Sequence, residues 1–422
     1  MRMRTILAGL FSVFSVLTIH SRLFAQSSDL VPDRYIVVFK ENVADPEGES
    51  DELKQRHDLV KFLVFRHALK GFSATIPPAK LKEVLSDPRV AFVTQERIFH
   101  TMAQYHPTGI DRINAEVSTS AGLTGLRVDN GQPVDVAVID TGIDLTHPDL
   151  APNIGGSVNF VDRTRNGNDD NGHGSHVAGT IAALHNSIGV IGVAPNARLW
   201  AVKVLNANGS GLTSTIIAGI DWVTASRNTP GREPIEVVNM SLGGFGRDDG
   251  RCGLNNRDAM HQAICKSILS GVTYVVAAGN ETRDAATSTP AAYKEVITVS
   301  AMVESDGRPG GLGPGTVYGA DDTFASFSNF GPPVDLIAPG VNIASTYKNG
   351  GYAVLSGTSM ASPHVAGAAA LYIAAHPTEN PFQVRAGLIA AGVLDWNTAT
   401  DRDPSHEPRV DACRASGLTA CP

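Results

Sequence analysis

Six apolar, β-branched runs recur along this chain: residues 134–140 (VDVAVID), 198–205 (RLWAVKVL), 236–242 (EVVNMSL), 272–280 (VTYVVAAGN), 295–301 (EVITVSA) and 334–340 (VDLIAPG). They end in Gly or Asp/Asn turns and alternate with helical stretches. Strands that are hydrophobic along their whole length, rather than on alternate residues, are buried on both faces. Joined by helices, they specify an α/β fold: a doubly wound, mainly parallel sheet with helices on both faces. Chemically active groups in such sheets gather beyond the carboxyl ends of the strands. The residues that close each run are therefore the first candidates for a site. With 422 residues and 42 glycines, the chain is long enough for one large core plus a smaller domain and many tight loops. The net charge of -8 leaves no basic face for nucleic acid.

Upstream of these runs lie two other segments. Arg2 and Arg4 precede an apolar stretch at 6–19, too short to span a bilayer comfortably. A secretory signal over 1–25 is expected, and with it an extracellular or periplasmic destination. Residues 29–102 then read strand, helix, two strands around Gly71, helix, strand. This is the β-α-β-β-α-β order of a small ferredoxin-like α+β unit, of a size that folds only marginally alone. Placed between a signal and a larger domain, it suggests a pro-segment. The large domain is expected over 103–400, followed by a polar extension over 401–422. The four cysteines of an exported chain imply two disulfides. Of the three possible connectivities, proximity favours Cys252–Cys265 and Cys413–Cys421.

Asp140 closes the first apolar run. Alone, an aspartate there is a turn or helix-cap residue. His173 lies between two glycines at the entry to a helix. His176, about a turn away, would make a metal pair with it, but no third ligand is evident. A pKa near neutrality makes His173 a candidate general base. Ser359 stands in SGTSMASPHVAG, where a Gly-Thr turn enters an Ala-rich helix. Its hydroxyl is a cap, or it is a nucleophile that needs a base. Pro363 is expected in the first turn of that helix, where backbone donors are free. Asp…His…Ser is the chain order of one triad architecture among several unrelated ones, and the G-x-S-x-G elbow fails here at Ala361.

VIDTGID, HGSHVAGT and GTSMASPHVAG together resemble the three signatures of the subtilisin-like serine proteases, the subtilases. The resemblance continues through SIGVIGVAPNARLWAVKVLNANGSG, VVNMSLGG and VVAAGN, and covers roughly 103–375. It implies a secreted serine endopeptidase with Ser359 as nucleophile, His173 as base and Asp140 as its orienting partner. Asn280 would donate to the oxyanion, where residue-level reading alone sees a Gly-Asn turn. Ser241, Leu242 and Gly243 resemble one substrate-binding edge, Gly209, Gly211 and Leu212 the other, and Ala278 and Gly279 line the primary pocket. The 29–102 unit resembles the inhibitory propeptide of such enzymes. Self-cleavage between Met102 and Ala103 would place Met102 in the primary pocket and Phe99 in an outer one, a preference for apolar residues.

A structural calcium ion also follows from the resemblance. Its ligands would be Gln104, Asp149 and Asn186 side chains with carbonyls of Leu184, Ile188 and Val190. The acidic NGNDDN stretch before His173 is a second, weaker site or a solvated loop. No organic cofactor is implied. The expected partners are protein or peptide substrates and the chain's own propeptide, the enzyme acting as a monomer. The competing readings are a catalytically silent binding protein of the same fold and an acyl or ester hydrolase. The 247–256 segment, which includes Cys252, looks like an insertion beside the substrate edge.

Overall fold

The computed structural model describes residues 30–97, 104–120, 133–418 and 421. The signal segment, Phe99, Met102 and Ala103 lie outside them. The chain divides into two compact units, Met1–Thr101 and Met102–Pro422.

The first unit runs β1 (Leu30–Phe39), α1 (Pro46–His57), β2 (Val60–Phe65), β3 (Gly71–Thr75), α2 (Pro78–Leu85) and β4 (Val90–Arg97). Its antiparallel sheet has the order β2-β3-β1-β4, the ferredoxin-like arrangement. Helix α1 starts where Asp45 accepts the Gly48 N–H at 3.1 Å, with Pro46 in the first turn and Glu47 and Glu49 at its positive end. Val37, Phe39, Leu53, Phe72, Ile76 and Val84 close a small core of their own.

The second unit opens with α3 (Thr108–Arg112) and α4 (Ala115–Ser120), then β5 (Asp135–Asp140), β6 (Ile154–Asn159), α5 (His173–Ala182), β7 (Arg198–Lys203) and α6 (Thr213–Asn228). It continues through β8 (Val237–Met240), β9 (Gly244–Phe245), α7 (Ala259–Leu269), β10 (Thr273–Ala277), β11 (Ser288–Thr289), β12 (Ile297–Met302) and β13 (Leu336–Pro339). A hairpin of β14 (Ile343–Tyr347) and β15 (Gly351–Leu355) precedes α8 (Thr358–Ala375), α9 (Pro381–Ala391) and α10 (Ala412–Ala415).

Seven strands form one parallel sheet in the order β13-β12-β10-β8-β5-β7-β6. Every residue of β5, β8, β10, β12 and β13 is buried. Alternate residues of β5 serve opposite layers. Val136 and Val138 join the core beneath α5 and α8, whereas Ala137 and Ile139 join the core beneath α6 and α7. Six of the seven strands are the six apolar runs. The seventh, β6, is a half-exposed edge strand without an apolar run. Its Gly156 sits under the Trp200 indole, where a Cβ would come within 2.6 Å of the ring.

The tail corrects an expectation. Residues beyond 401 read as a polar extension, yet Val410, Ala412 and Ala415 belong to the main core. Their polar neighbours are paired internally. Arg409, 2% exposed, bonds both Asp395 oxygens at 2.8 Å and the Val410 carbonyl at 2.7 Å. Buried Arg112 of α3 reaches the same Asp395 at 3.0 Å and Asp322 at 2.8 Å. Polarity in the sequence does not mean exposure when each charge has its partner inside. Arg409→Met leaves Asp395 with Arg112 alone and takes the nearby guanidinium from Asp411, so it should cost about 3 kcal/mol, the low end of the range for breaking a buried pair, read from urea unfolding of the Ser359→Ala chain.

Candidate active site

Asp140 is the last residue of β5, at the point where the sheet order turns from β7 to β8. Its fully buried carboxylate accepts the Thr141 N–H at 2.7 Å and meets His173 Nδ1 at 2.8 and 3.0 Å. His173 is the first residue of α5. Gly172 before it has φ 111°, and a Cβ there would strike the Tyr347 ring at 2.2 Å, so the turn admits only glycine. Burial by itself lowers the imidazole pKa. The Asp140 charge and hydrogen bond, with the Asp169 charge behind them, outweigh it and hold His173 above its ordinary value. His176 points into the core, bonds the Ile343 carbonyl at 2.9 Å and is pushed down to about 3 by burial, so it makes no metal pair with His173.

The acidic stretch before His173 is a loop with Asn166, Asn168 and Asp170 exposed, but Asp169 turns inward. Asp169, 3% exposed, accepts from the Thr141 hydroxyl, the Asn171, Gly172 and Ser175 N–H groups and the Ser175 hydroxyl. Thr141 Oγ1 accepts in turn from the Gly174 N–H at 2.9 Å. Asp170 takes the Lys203 ammonium at 2.7 Å. Asp169 thus ties the end of β5 to the start of α5, and its carboxylate oxygens have no lone pairs left for a metal.

Ser359 is the second residue of α8. Its hydroxyl donates to the Ser241 carbonyl at 3.4 Å, and among the described residues no hydrogen bond joins it to His173. Pro363 is the sixth residue of α8, not a first-turn residue. A proline there cannot donate to the Ser359 carbonyl four residues back, and the Ser241 hydroxyl takes that place at 2.9 Å. Ser241 is itself held by Asn239 Nδ2 at 2.9 Å, and Asn239 Oδ1 accepts from Ser362 at 2.8 Å. Asn239 was not among the sequence candidates, although a lone amide inside an apolar strand is the kind of buried polar group that signals a role. Asn280 follows β10. Its Oδ1 accepts the Thr358 N–H at 2.8 Å and the Thr358 hydroxyl at 2.9 Å, which fixes the amide and turns Nδ2 away from them.

Two adjoining clefts meet here. One, of about 430 Å³, is lined by Ser359, Asn280, Ala278, Gly279, Leu242 and Gly243, among others. The other, of about 500 Å³, is lined by His173, Gly209 and Gly211. They share Ser241, Leu242, Gly243, Gly244, Phe245 and Thr289, so Ser359 and His173 stand on the walls of one continuous groove. Leu212 lines neither cleft and is largely exposed. Glu281 and Arg283 also line the first cleft, 3.5 Å from each other. The sequence reading did not foresee this polar wall.

Away from the groove, Asp149 is fully buried and bonds Asn186 Nδ2 at 2.8 Å and the Val190 N–H at 3.0 Å. The Gln104 amide nitrogen meets the Leu184 and Val190 carbonyls at 2.5 and 3.0 Å, and its oxygen accepts the Asn186 N–H. The Ile188 N–H reaches Asn186 Oδ1 at 2.7 Å. Cys252 is joined to Cys265, and Cys413 to Cys421.

An NMR titration of His173 in the Ser359→Ala chain should give a midpoint above about 6.5. Asp140→Asn should bring it below that value, because burial then acts unopposed.

Comparison with known proteins is consistent throughout. The subtilase family profile matches residues 131–409, and the peptidase inhibitor I9 profile matches residues 34–102. The chain is 39% identical over 387 residues to Subtilisin NAT of Bacillus subtilis subsp. natto, covering 90% of this chain and 91% of that protein. It is likewise 39% identical to Subtilisin E of Bacillus subtilis (strain 168), with the same coverage. Among solved structures, a cold adapted subtilisin-like serine proteinase aligns with a TM-score of 0.53 at 36% identity, over 66% of this chain and 87% of that one. A parallel sheet ending in these motifs, with an inhibitor-type domain ahead of it, belongs to the subtilase family, and the chain is a serine endopeptidase.

Proposed function

We propose that the groove hydrolyses peptide bonds through Asp140, His173 and Ser359, with Asn280 as an oxyanion donor. The observation that carries the reading is the buried Asp140 carboxylate on His173 Nδ1 at 2.8 Å, since it leaves Nε2 as the nitrogen free to take a proton. Ser359 Oγ turns from Ser241 toward that nitrogen and attacks the scissile carbonyl as its proton passes to His173. The imidazolium is stabilised by Asp140. Asn280 Nδ2 and the Ser359 N–H at the positive end of α8 receive the developing negative oxygen. His173 then protonates the leaving amine, and water cleaves the acyl-enzyme by the same steps reversed.

Ser359→Ala should abolish cleavage of a long peptide, a loss of about 10⁶ in kcat by analogy with subtilisin itself. Asn280→Ala should lose about 10²–10³ in kcat with KM little changed, a magnitude taken from subtilisin's own asparagine. Because the base must be neutral and its pKa is raised, kcat/KM should fall about tenfold per pH unit below a midpoint above about 6.5.

The I9-type unit is the enzyme's own inhibitor, removed by self-cleavage between Met102 and Ala103 after export directed by the 1–25 signal. A pro-segment ending in Met102, with Phe99 three residues earlier, supports a preference for apolar residues before the cut. N-terminal sequencing of active enzyme should begin at Ala103, and Ser359→Ala should remain uncleaved. A start far from Ala103 removes the basis for that preference.

The 184–190 loop holds a structural calcium ion. The fit rests on Asp149, fully buried without a lysine or arginine partner among the described residues. The Gln104 and Asn186 amide nitrogens face oxygens that a cation would otherwise satisfy. Turning the Gln104 amide presents Oε1 instead, completing a set of hard oxygen ligands with Asp149, Asn186 and the loop carbonyls. Calcium would neutralise Asp149 and pin the loop to the segment that begins at Gln104. Returning calcium to the chelator-stripped protein should raise Tm in the wild type and leave Asp149→Asn unaffected.

A further inference from the structure

The 247–256 insertion carries a second cluster, unrelated to the groove's chemistry. His261, on the first turn of α7, is fully buried and stacked on Tyr293 with ring centroids 3.8 Å apart. Its Nε2 meets Glu295 Oε2 at 2.9 Å. A carboxylate only accepts, so the proton sits on Nε2. Nδ1 has no hydrogen-bond partner. It faces Asp248 Oδ1 at 3.7 Å and Asp249 Oδ1 at 3.8 Å, and these atoms lie within 4.8 Å of one another.

Two carboxylates directed at a bare nitrogen lone pair repel it. No hydrogen bond engages that nitrogen across 3.7 Å, which is too long for one. An ion with bonds of about 2.0–2.1 Å does. Tetrahedral ligands on such an ion lie about 3.4 Å apart, so Asp248 Oδ1 and Nδ1 close by about 0.3 Å. The Glu295 bond supplies the outer carboxylate that orients a metal-binding histidine. Asp248 Oδ1 accepts only the Gly250 N–H at 2.8 Å, which leaves it ligand capacity. Asp249 is already saturated, since its oxygens accept the Arg251, Gly253, Asn255 and Asn256 N–H groups, so it lends charge beside the ion rather than a bond.

We propose that His261 and Asp248 bind a divalent cation of the zinc class beside the Asp249 charge, with water completing the coordination through partly exposed Asp248. Mixed nitrogen and carboxylate donors suit zinc, whereas calcium and magnesium take oxygen. The nearby Cys252 and Cys265 are disulfide-bonded and offer no thiolate. The ion ties the insertion to α7. Because the insertion begins just after β9, whose Gly244 and Phe245 line both clefts, it also steadies a wall of the groove.

The test uses the full Ser359→Ala chain, stripped with chelator, returned to excess calcium to fill the oxygen site, and titrated calorimetrically with zinc chloride. One equivalent should bind with a Kd tighter than about 100 µM. Asp248→Asn, which keeps the Gly250 hydrogen bond but loses the charge, should weaken it at least about tenfold. His261→Gln should remove it. If the His261 variant does not fold, the part-exposed Asp248 variant decides alone. No zinc at that affinity, or equal binding by wild type and Asp248→Asn, overturns the site.

Discussion

In a parallel sheet every strand ends on the same side, and each strand end exposes residues that the strand body hides. Here β5, β8 and β10 deliver Asp140, Ser241 and Asn280 to one edge, and α5 and α8 start there with His173 and Ser359. The site therefore depends on the register of buried strands, which is fixed because both faces are apolar. The order β10-β8-β5-β7 places the reversal of strand order beside Asp140, the position where such sheets open a crevice.

That edge is rigid because its polar groups satisfy one another. Asp169 anchors the turn before His173, and Thr358 holds the Asn280 amide. The Asn239–Ser241 pair supports the carbonyl that Pro363 frees at Ser359. Each bond fixes a group that neighbours the reacting atoms without requiring it to react. Preorganised donors of this kind act on developing charge without having to reorient during the reaction. A buried polar network of this kind is favourable only when its members are paired. Among the described residues no hydrogen bond joins Ser359 to His173, and the proposed mechanism requires the Ser359 hydroxyl to leave the Ser241 carbonyl and form one.

The charged residues divide by the same rule. Arg112 and Arg409 share Asp395, and this pairing lets a polar-looking tail enter the core. Asp149 has no lysine or arginine partner among the described residues. A buried carboxylate without a charge partner is costly, and in this structure the Asn186 amide and the Val190 N–H meet that cost at Asp149.

The six buried strands were legible because whole-length hydrophobicity needs no knowledge of neighbours. The motif residues were legible because Gly-flanked Asp, His and Ser in one chain order are distinctive as a set. The edge strand β6 was not, because its glycines answer to Trp200, a residue 44 positions away. Asp169 looked like a loop acid, since its five donors come together only when β5 meets α5. The tail looked polar, since Asp395 is visible as a partner of Arg409 only after folding. Sequence by itself determined which segments are strands, which unit precedes which, and which residue types are available for chemistry, because those follow from local pattern and covalent order. Tertiary structure alone decided which polar groups are paired and which side chain faces which, because hydrogen bonds and charge pairs depend on distance in space, and the chain sets that only when it packs.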